Sequence, residues 1–367
     1  MSASVHHLRI AIRADASAEM GTGHVRRCNS LANTLAMAGA DVHLFARKLG
    51  VDTAALLSPT LALHELPAPP RSVPTSPDAP AHLVWARVSQ ERDVADMSAA
   101  IDSIGLGWLP DIVIVDHYAF DARWHNALRG RTGAKIAVID DLGDRSIAAD
   151  FVIDHNWHHD FYRKYAGRFV RPAELLVGPG FALLDPHYAT VPRHISRDLV
   201  GSIGIFMGGS DAANSTARVL DAIETIAFKG HVEVVSTSAN PNLGALRERL
   251  ADNPYARLSL DLPNLADFFA RHDLHIGAGG GATWERFCVG APSILLSFAL
   301  NHDQVLLPLQ QLALAEVLPL GWNQNDLVAA VTKLCADPAL RRNFSERGLS
   351  LVDGGGCQRV ANRLMGG

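Results

Sequence analysis

The chain has no block of lysines and arginines. Its 33 basic residues are outnumbered by 38 acidic ones, for a formal net charge of −5, so it lacks the electrostatic footprint of a nucleic-acid or anionic-membrane binder. Any phosphate has to be held locally, by backbone amides and helix N-termini. The four cysteines, Cys28, Cys288, Cys335 and Cys357, are far apart and form no CxxC pair, which argues against a disulfide framework and a zinc knuckle. No segment approaches the roughly 20 apolar residues of a membrane span, and the start lacks the apolar core of a signal peptide. A cytoplasmic protein without stable membrane association is expected. A GxGxxG fingerprint and a Walker lysine are both missing. No period of 20 to 50 residues recurs, which excludes a solenoid.

What is present is an ordinary globular composition, 48% hydrophobic and 19% charged over 367 residues. That length exceeds what one core usually fills, so two domains are expected. The boundaries read as residues 1–180, a connection at 181–198 and residues 199–367, with the last helix free to return to the first domain. The fold class is α/β. Leu8 to Ala14 reads as a strand, a Gly-containing loop follows, and a helical pattern runs through Val25, Leu31, Leu35 and Met37. Asp41 to Ala46 is the next strand, completing a βαβ unit. Residues 67–80 carry so many prolines that only a long surface loop is credible. A helix from about Val88 to Ile104 leads to the apolar strand DIVIVDHY, which ends in Asp116, His117 and Tyr118. KIAVIDDLGDR repeats the pattern and ends in Asp140 and Asp141. Ligands of open α/β sheets bind outside the carboxyl edge of the strands, where these polar ends point.

Three glycine loops carry the chemistry. In RADASAEMGTGHVRRC, Gly21 and Gly23 allow close ligand approach, with Arg13 and Asp15 across the same loop. His24 begins the helix, either as a brace or as a neutral imidazole that takes a proton from an attacking water. In MGGSDAANST, Gly208 and Gly209 expose amides and Ser210 adds a hydroxyl before a helix starting near Asn214, which reads as a pyrophosphate cradle. In GAGGGATWERFCVGAP, Gly280, Gly281 and Thr283 again precede a helix, and Glu285 can accept both ribose hydroxyls; the alternative is a Glu285–Arg286 surface turn. Asn301, His302, Asp303 and Gln304 follow another strand and could hydrogen-bond a sugar. His302 and Asp303 have no third ligand in obvious reach, and His155, His158 and His159 lack a ligand pattern, so neither a metal nor another cofactor is expected.

Taken together, RADAS, GTGHVRRC, VDHY, IDDLGDR, GFALL, MGGSDAANST and GGGATWERFCVGAP resemble the UDP-sugar hydrolase family of pseudaminic acid biosynthesis, which acts on UDP-2,4-diacetamido-2,4,6-trideoxy-β-L-altropyranose in the pathway leading to flagellin glycosylation. More widely, the chain is similar to GT-B enzymes of the MurG type. The resemblance implies a GT-B-like fold, two Rossmann-like doubly wound domains facing across a cleft. It also implies a metal-independent hydrolase that binds a UDP-sugar as its small-molecule partner. His24 would act on the water that displaces UDP with inversion at the anomeric carbon, while Tyr118 and Asn301 match the family's substrate residues. The chain departs from the family pattern at Phe181, at Asp185 and in the spacing of Asn301 and Gln304, all on the expected sugar side. A MurG-like transferase and a non-catalytic UDP-sugar-binding protein are the alternatives.

Overall fold

Strands such as IVIV before Asp116 are apolar on both faces, a pattern stable only where helices cover both sides of a parallel sheet. The computed structural model describes residues 7–70, 80–211, 213–298 and 300–366. It divides into two units, Met1–Asp185 with Gly355–Gly367, and Pro186–Gly354. The expected connection at 181–198 is thus divided between them at Asp185. Most of the proline-rich stretch, residues 71–79, lies outside the described residues.

In the first unit the chain runs through β1 (Arg9–Ala14), α1 (Gly23–Met37), β2 (Asp41–Arg47), β3 (Ala62–Leu66), α2 (Leu83–Ala86), α3 (Gln90–Ile104), β4 (Ile112–Asp116), α4 (Ala122–Thr132), β5 (Lys135–Ile139), β6 (Phe151–Asp154), α5 (Phe161–Lys164) and β7 (Glu174–Val177). The second unit holds β8 (Ser202–Phe206), α6 (Ser215–Thr225), β9 (His231–Ser236), α7 (Leu243–Ala251), β10 (Ala256–Leu260), α8 (Ala266–Arg271), β11 (Leu274–Ala278), α9 (Ala282–Val289), β12 (Ser293–Leu296), α10 (Leu300–Gln311), β13 (Glu316–Leu318), α11 (Gln324–Ala336) and α12 (Pro338–Leu351). The final helix, α13 (Gly356–Leu364), belongs to the first unit. Its Cys357, Val360, Ala361 and Leu364 join the same apolar cluster as Val25, Leu31 and Leu35 of α1.

Both sheets are parallel throughout. The first has the order β3-β2-β1-β4-β5-β6-β7 and the second β10-β9-β8-β11-β12-β13. Each reverses its winding once, between β1 and β4 in the first and between β8 and β11 in the second. These are the switch points at which open α/β sheets form a ligand crevice. Every candidate loop named above follows a strand at its carboxyl end.

Candidate active site

The β1–β4 switch point brings together residues 92 positions apart. Parallel pairing sets Ala14 beside Asp116, and the loop after β1 carries the chain into α1, whose second residue is His24. His24 Nδ1 lies 2.6 Å from Asp116 Oδ1. An ionised carboxylate only accepts hydrogen bonds, so Nδ1 carries a proton, and in a neutral ring the lone pair is then on Nε2. Asp116 is fully buried. Burial opposes its charge, but the Arg27 guanidinium and His24 together hold its carboxyl well below the usual carboxylate range.

Arg27 lies one turn beyond His24 on α1 and grips the same carboxylate with two nitrogens, Nε at 2.5 Å and Nη2 at 2.6 Å. This bidentate fork fixes the carboxylate plane. Arg27 Nη1 also approaches Asp141 Oδ2 and His155 Nε2, each at 3.4 Å. Tyr118 donates its hydroxyl to Asp141 and sets its ring edge-on to His24, centroids 4.9 Å apart. Burial and the neighbouring Asp141 carboxylate raise the Tyr118 phenol well above its ordinary value, so it stays a donor. His155, desolvated and beside Arg27, is pushed down to about 4 and is neutral at pH 7.

Gly21 closes the loop between β1 and α1 by exchanging backbone bonds with Ser17, at a φ of +73° that favours glycine. Gly23 has no such internal reason, since a Cβ there would meet nothing within 4 Å. Arg13 and Asp15, expected to contact substrate, are instead wholly buried. Arg13 pairs with Asp15 and Asp93, Asp15 also accepts the Arg47 amide at 2.6 Å, and Arg47 reaches Asp93 at 2.8 Å. Two adjacent strands thus present like-charged arginines on one inner face, and the carboxylates of Asp15, Asp93 and Asp96, the last 2.8 Å from Arg47 Nη1, neutralise them. The pair braces the sheet beneath the loop.

In the second unit, the loop after β8 leaves Gly208 and Gly209 partly exposed and Ser210 exposed. The helix end that follows is not open. Asp211 folds back so that its carboxylate accepts the amides of Ser215 at 2.8 Å and Thr216 at 3.0 Å, a built-in anion at the N-terminus of α6. The expectation that this helix end would itself receive phosphate is therefore corrected, because its first amides already have a partner. Asn214 sits exposed at the cap position with φ +52°.

After β11, Gly280 and Gly281 are exposed, and a Cβ on either would meet nothing within 4 Å. Thr283 is buried, and its hydroxyl has no hydrogen-bond partner among the described residues. Glu285 is partly buried and accepts the hydroxyl of Tyr188 at 2.7 Å. Asn301 falls in the first turn of α10, its side chain outside the described residues. Among the described residues, no cluster of histidine, cysteine, aspartate or glutamate could hold a metal ion, and no helix is long and apolar enough to cross a membrane.

Arg27 and Tyr188 are functional candidates to which the sequence assigns no role, whereas Asp116 and Asp141, expected as polar strand ends, acquire definite partners: Asp116 accepts from His24, and Asp141 accepts the Tyr118 hydroxyl. The clue to Arg27 is its place on α1, one turn beyond His24.

The two parallel-sheet units match the GT-B architecture. MurG of Acinetobacter baumannii superposes with a TM-score of 0.63 over 98% of this chain and 99% of its own, at 12% identity. TcCGT1, solved in complex with UDP, superposes at 0.64 over 98% and 99%, also at 12% identity. By sequence, the chain is 26% identical over 257 residues to the spore coat polysaccharide biosynthesis protein SpsG of Bacillus subtilis, covering 68% of this chain and 75% of SpsG. No family model matches the chain.

Proposed function

We propose that the protein hydrolyses a UDP-activated sugar of the diacetamido-trideoxy type, releasing UDP and free sugar in nonulosonate biosynthesis. The observation that carries this is the His24–Asp116 pair. Asp116 holds the Nδ1 proton, so Nε2 can take a proton from water as the water oxygen bonds to the anomeric carbon. The anomeric C–O bond to the β-phosphate breaks and its electrons leave with UDP. Attack on the face opposite the leaving group inverts the configuration. Tyr118, whose ring stands edge-on to His24 and whose hydroxyl donates to Asp141 while its oxygen can still accept, is assigned to the sugar, as is Asn301.

UDP is assigned to the second unit. The amides of Gly208, Gly209 and Ser210, with those of Gly280 and Gly281, take the diphosphate, Thr283 supplies its unpartnered hydroxyl, and Glu285 receives the ribose. Gly280 and Gly281 stand where the protein's own packing does not require a glycine, as expected if a ligand approaches the backbone. UDP in the TcCGT1 complex and the polysaccharide-biosynthesis role of SpsG support this class of substrate. No metal or other cofactor enters the reading.

A second reading has specific support: the pair could equally deprotonate an acceptor hydroxyl, and the shared fold includes MurG. One assay separates them. The protein is incubated with a panel of UDP-activated diacetamido sugars without acceptor, and UDP and the free anomer are followed by NMR. Stoichiometric UDP and inverted sugar are expected. UDP release only when an acceptor hydroxyl is added would establish the transferase, and none in either case a binding protein. His24→Ala should abolish release while UDP still binds.

A further inference from the structure

One side chain ties together the two strands of the second switch point. Arg286 of α9 donates from Nη1 to the carbonyl oxygen of Ala278 at 3.2 Å and from Nη2 to that of Phe206 at 3.1 Å. These are the last residues of β11 and β8, and from them hang the two glycine loops. The guanidinium lies wholly inside the unit, 5.0 Å from the centroid of the Phe269 ring, and its Nε has no hydrogen-bond partner among the described residues. The sheet makes room for it at Gly277, where a Cβ would lie 1.8 Å from Nη2.

Among the described residues no carboxylate lies within ion-pairing distance of Arg286. Glu285, next in sequence, is partly exposed and bonded to Tyr188. Burial outweighs the attraction of Glu285 and pulls the guanidinium down to about 10. Two carbonyl oxygens do not require a cation, since a neutral amide would serve them with a smaller desolvation cost. A buried ion without a counter-ion costs the free protein stability. A ligand bringing negative charge to the loops above returns that cost on binding.

We propose that Arg286 is a positioning residue of the nucleotide site, a fixed cation beneath both glycine loops whose counter-charge is the diphosphate of the bound nucleotide. The inference deepens the assignment of UDP to the second unit and rests on it. It also resolves how a chain of net charge −5, with Asp211 and Glu285 beside its loops, favours a diphosphate over solvent.

Calorimetric titration of UDP and of uridine, which lacks the diphosphate, tests the idea on the full chain and on two variants. The wild type should prefer UDP to uridine strongly. Arg286→Lys, which keeps the charge but loses the fork, should keep most of that preference. Arg286→Gln, which keeps a donor but loses the charge, should lose roughly tenfold or more of it with uridine affinity little changed. Arg286→Met replaces Gln if the latter does not fold. A preference retained in the neutral variant overturns the proposal, and so does an equal loss in Lys and Gln, which would leave only a structural staple. Those outcomes leave the UDP assignment standing, whereas a wild type that binds neither ligand removes the assignment and the proposal together.

Discussion

The two switch points share a topology and oppose each other in charge. At β1–β4 a buried carboxylate, Asp116, is surrounded by donors: the Arg27 fork, His24 Nδ1 and, at 3.6 Å, the Cys28 thiol. At β8–β11 a buried guanidinium, Arg286, meets two carbonyl oxygens and an aromatic face, with no carboxylate within ion-pairing distance among the described residues. The first site is electrically complete and holds an imidazole in one tautomer. The second is incomplete and bordered by exposed backbone amides. The fold provides the same place twice, and on the proposed reading the side chains there suit one place to proton transfer and the other to an anionic ligand.

The comparison breaks most readily at Asp116. Asp116→Asn keeps the shape but can donate to His24 Nδ1 and so favour the wrong tautomer. If proton transfer belongs to the first switch point, kcat for UDP release should fall about 10²- to 10⁴-fold with UDP affinity unchanged. A normal kcat would show that the orientation of His24 is immaterial. Removing the carboxylate altogether should cost stability too. Asp116→Ala leaves the Arg27 guanidinium without its bidentate carboxylate and with only the longer 3.4 Å approach to Asp141 as an ion pair, and urea titration should show a loss of about 3–5 kcal/mol. A loss below about 1 kcal/mol would mean that solvent or Asp141 takes over.

The pH dependence of stability separates the first unit's carboxyls into two kinds. Asp15 and Asp116 have lowered pKa values in the fold, so the stability they contribute is present above about pH 4 and is lost on acidification. Asp154 is the opposite. Burial raises it to about 7 against the attraction of Lys164, which bonds it at 2.6 Å. The folded protein then binds a proton more tightly than the unfolded chain. The stability Asp154 contributes is full below about pH 4 and is lost as pH rises through 7, by up to about 4 kcal/mol. Asp154→Asn should flatten that decline in urea titrations between pH 4 and 7. An unchanged slope would show that Lys164 keeps Asp154 ionised throughout.

Much of this was legible from local pattern. Glycines between an apolar strand and an amphipathic helix mark the three loops because strand, turn and helix are neighbours in the chain. The pairing of His24 with Asp116 was not legible, because it depends on which strands lie side by side. The polar residues ending DIVIVDHY marked the carboxyl end of β4 without saying what Asp116 would meet there. Short strands were also missed: β6 and β7 have four residues each and β13 has three, too few for periodicity to show. Arg286 as part of a surface turn failed for a visible reason. The helix TWERFCV carries apolar residues on every side, which marks a buried helix rather than a solvated one.

Asp211 gives the finest test of the contrast, because it is an anion placed beside a site assigned to an anion. The glycine-rich motif implies an open helix start near Asn214, but an aspartate four residues before Ser215 reaches forward to its amide. Asp211→Ala frees the amides of Ser215 and Thr216. Losing this cap should lower stability by about 1 kcal/mol, a drop of roughly 2–4 °C in the melting temperature of a unit of this size. If the carboxylate acts chiefly as a resident negative charge, its removal should also raise UDP affinity a few-fold and leave uridine affinity unchanged, since only the diphosphate feels it. A fall in UDP affinity would reverse the assignment: Asp211 would then be needed to shape the Gly208–Ser210 turn, and the loop's geometry rather than its charge would control the nucleotide.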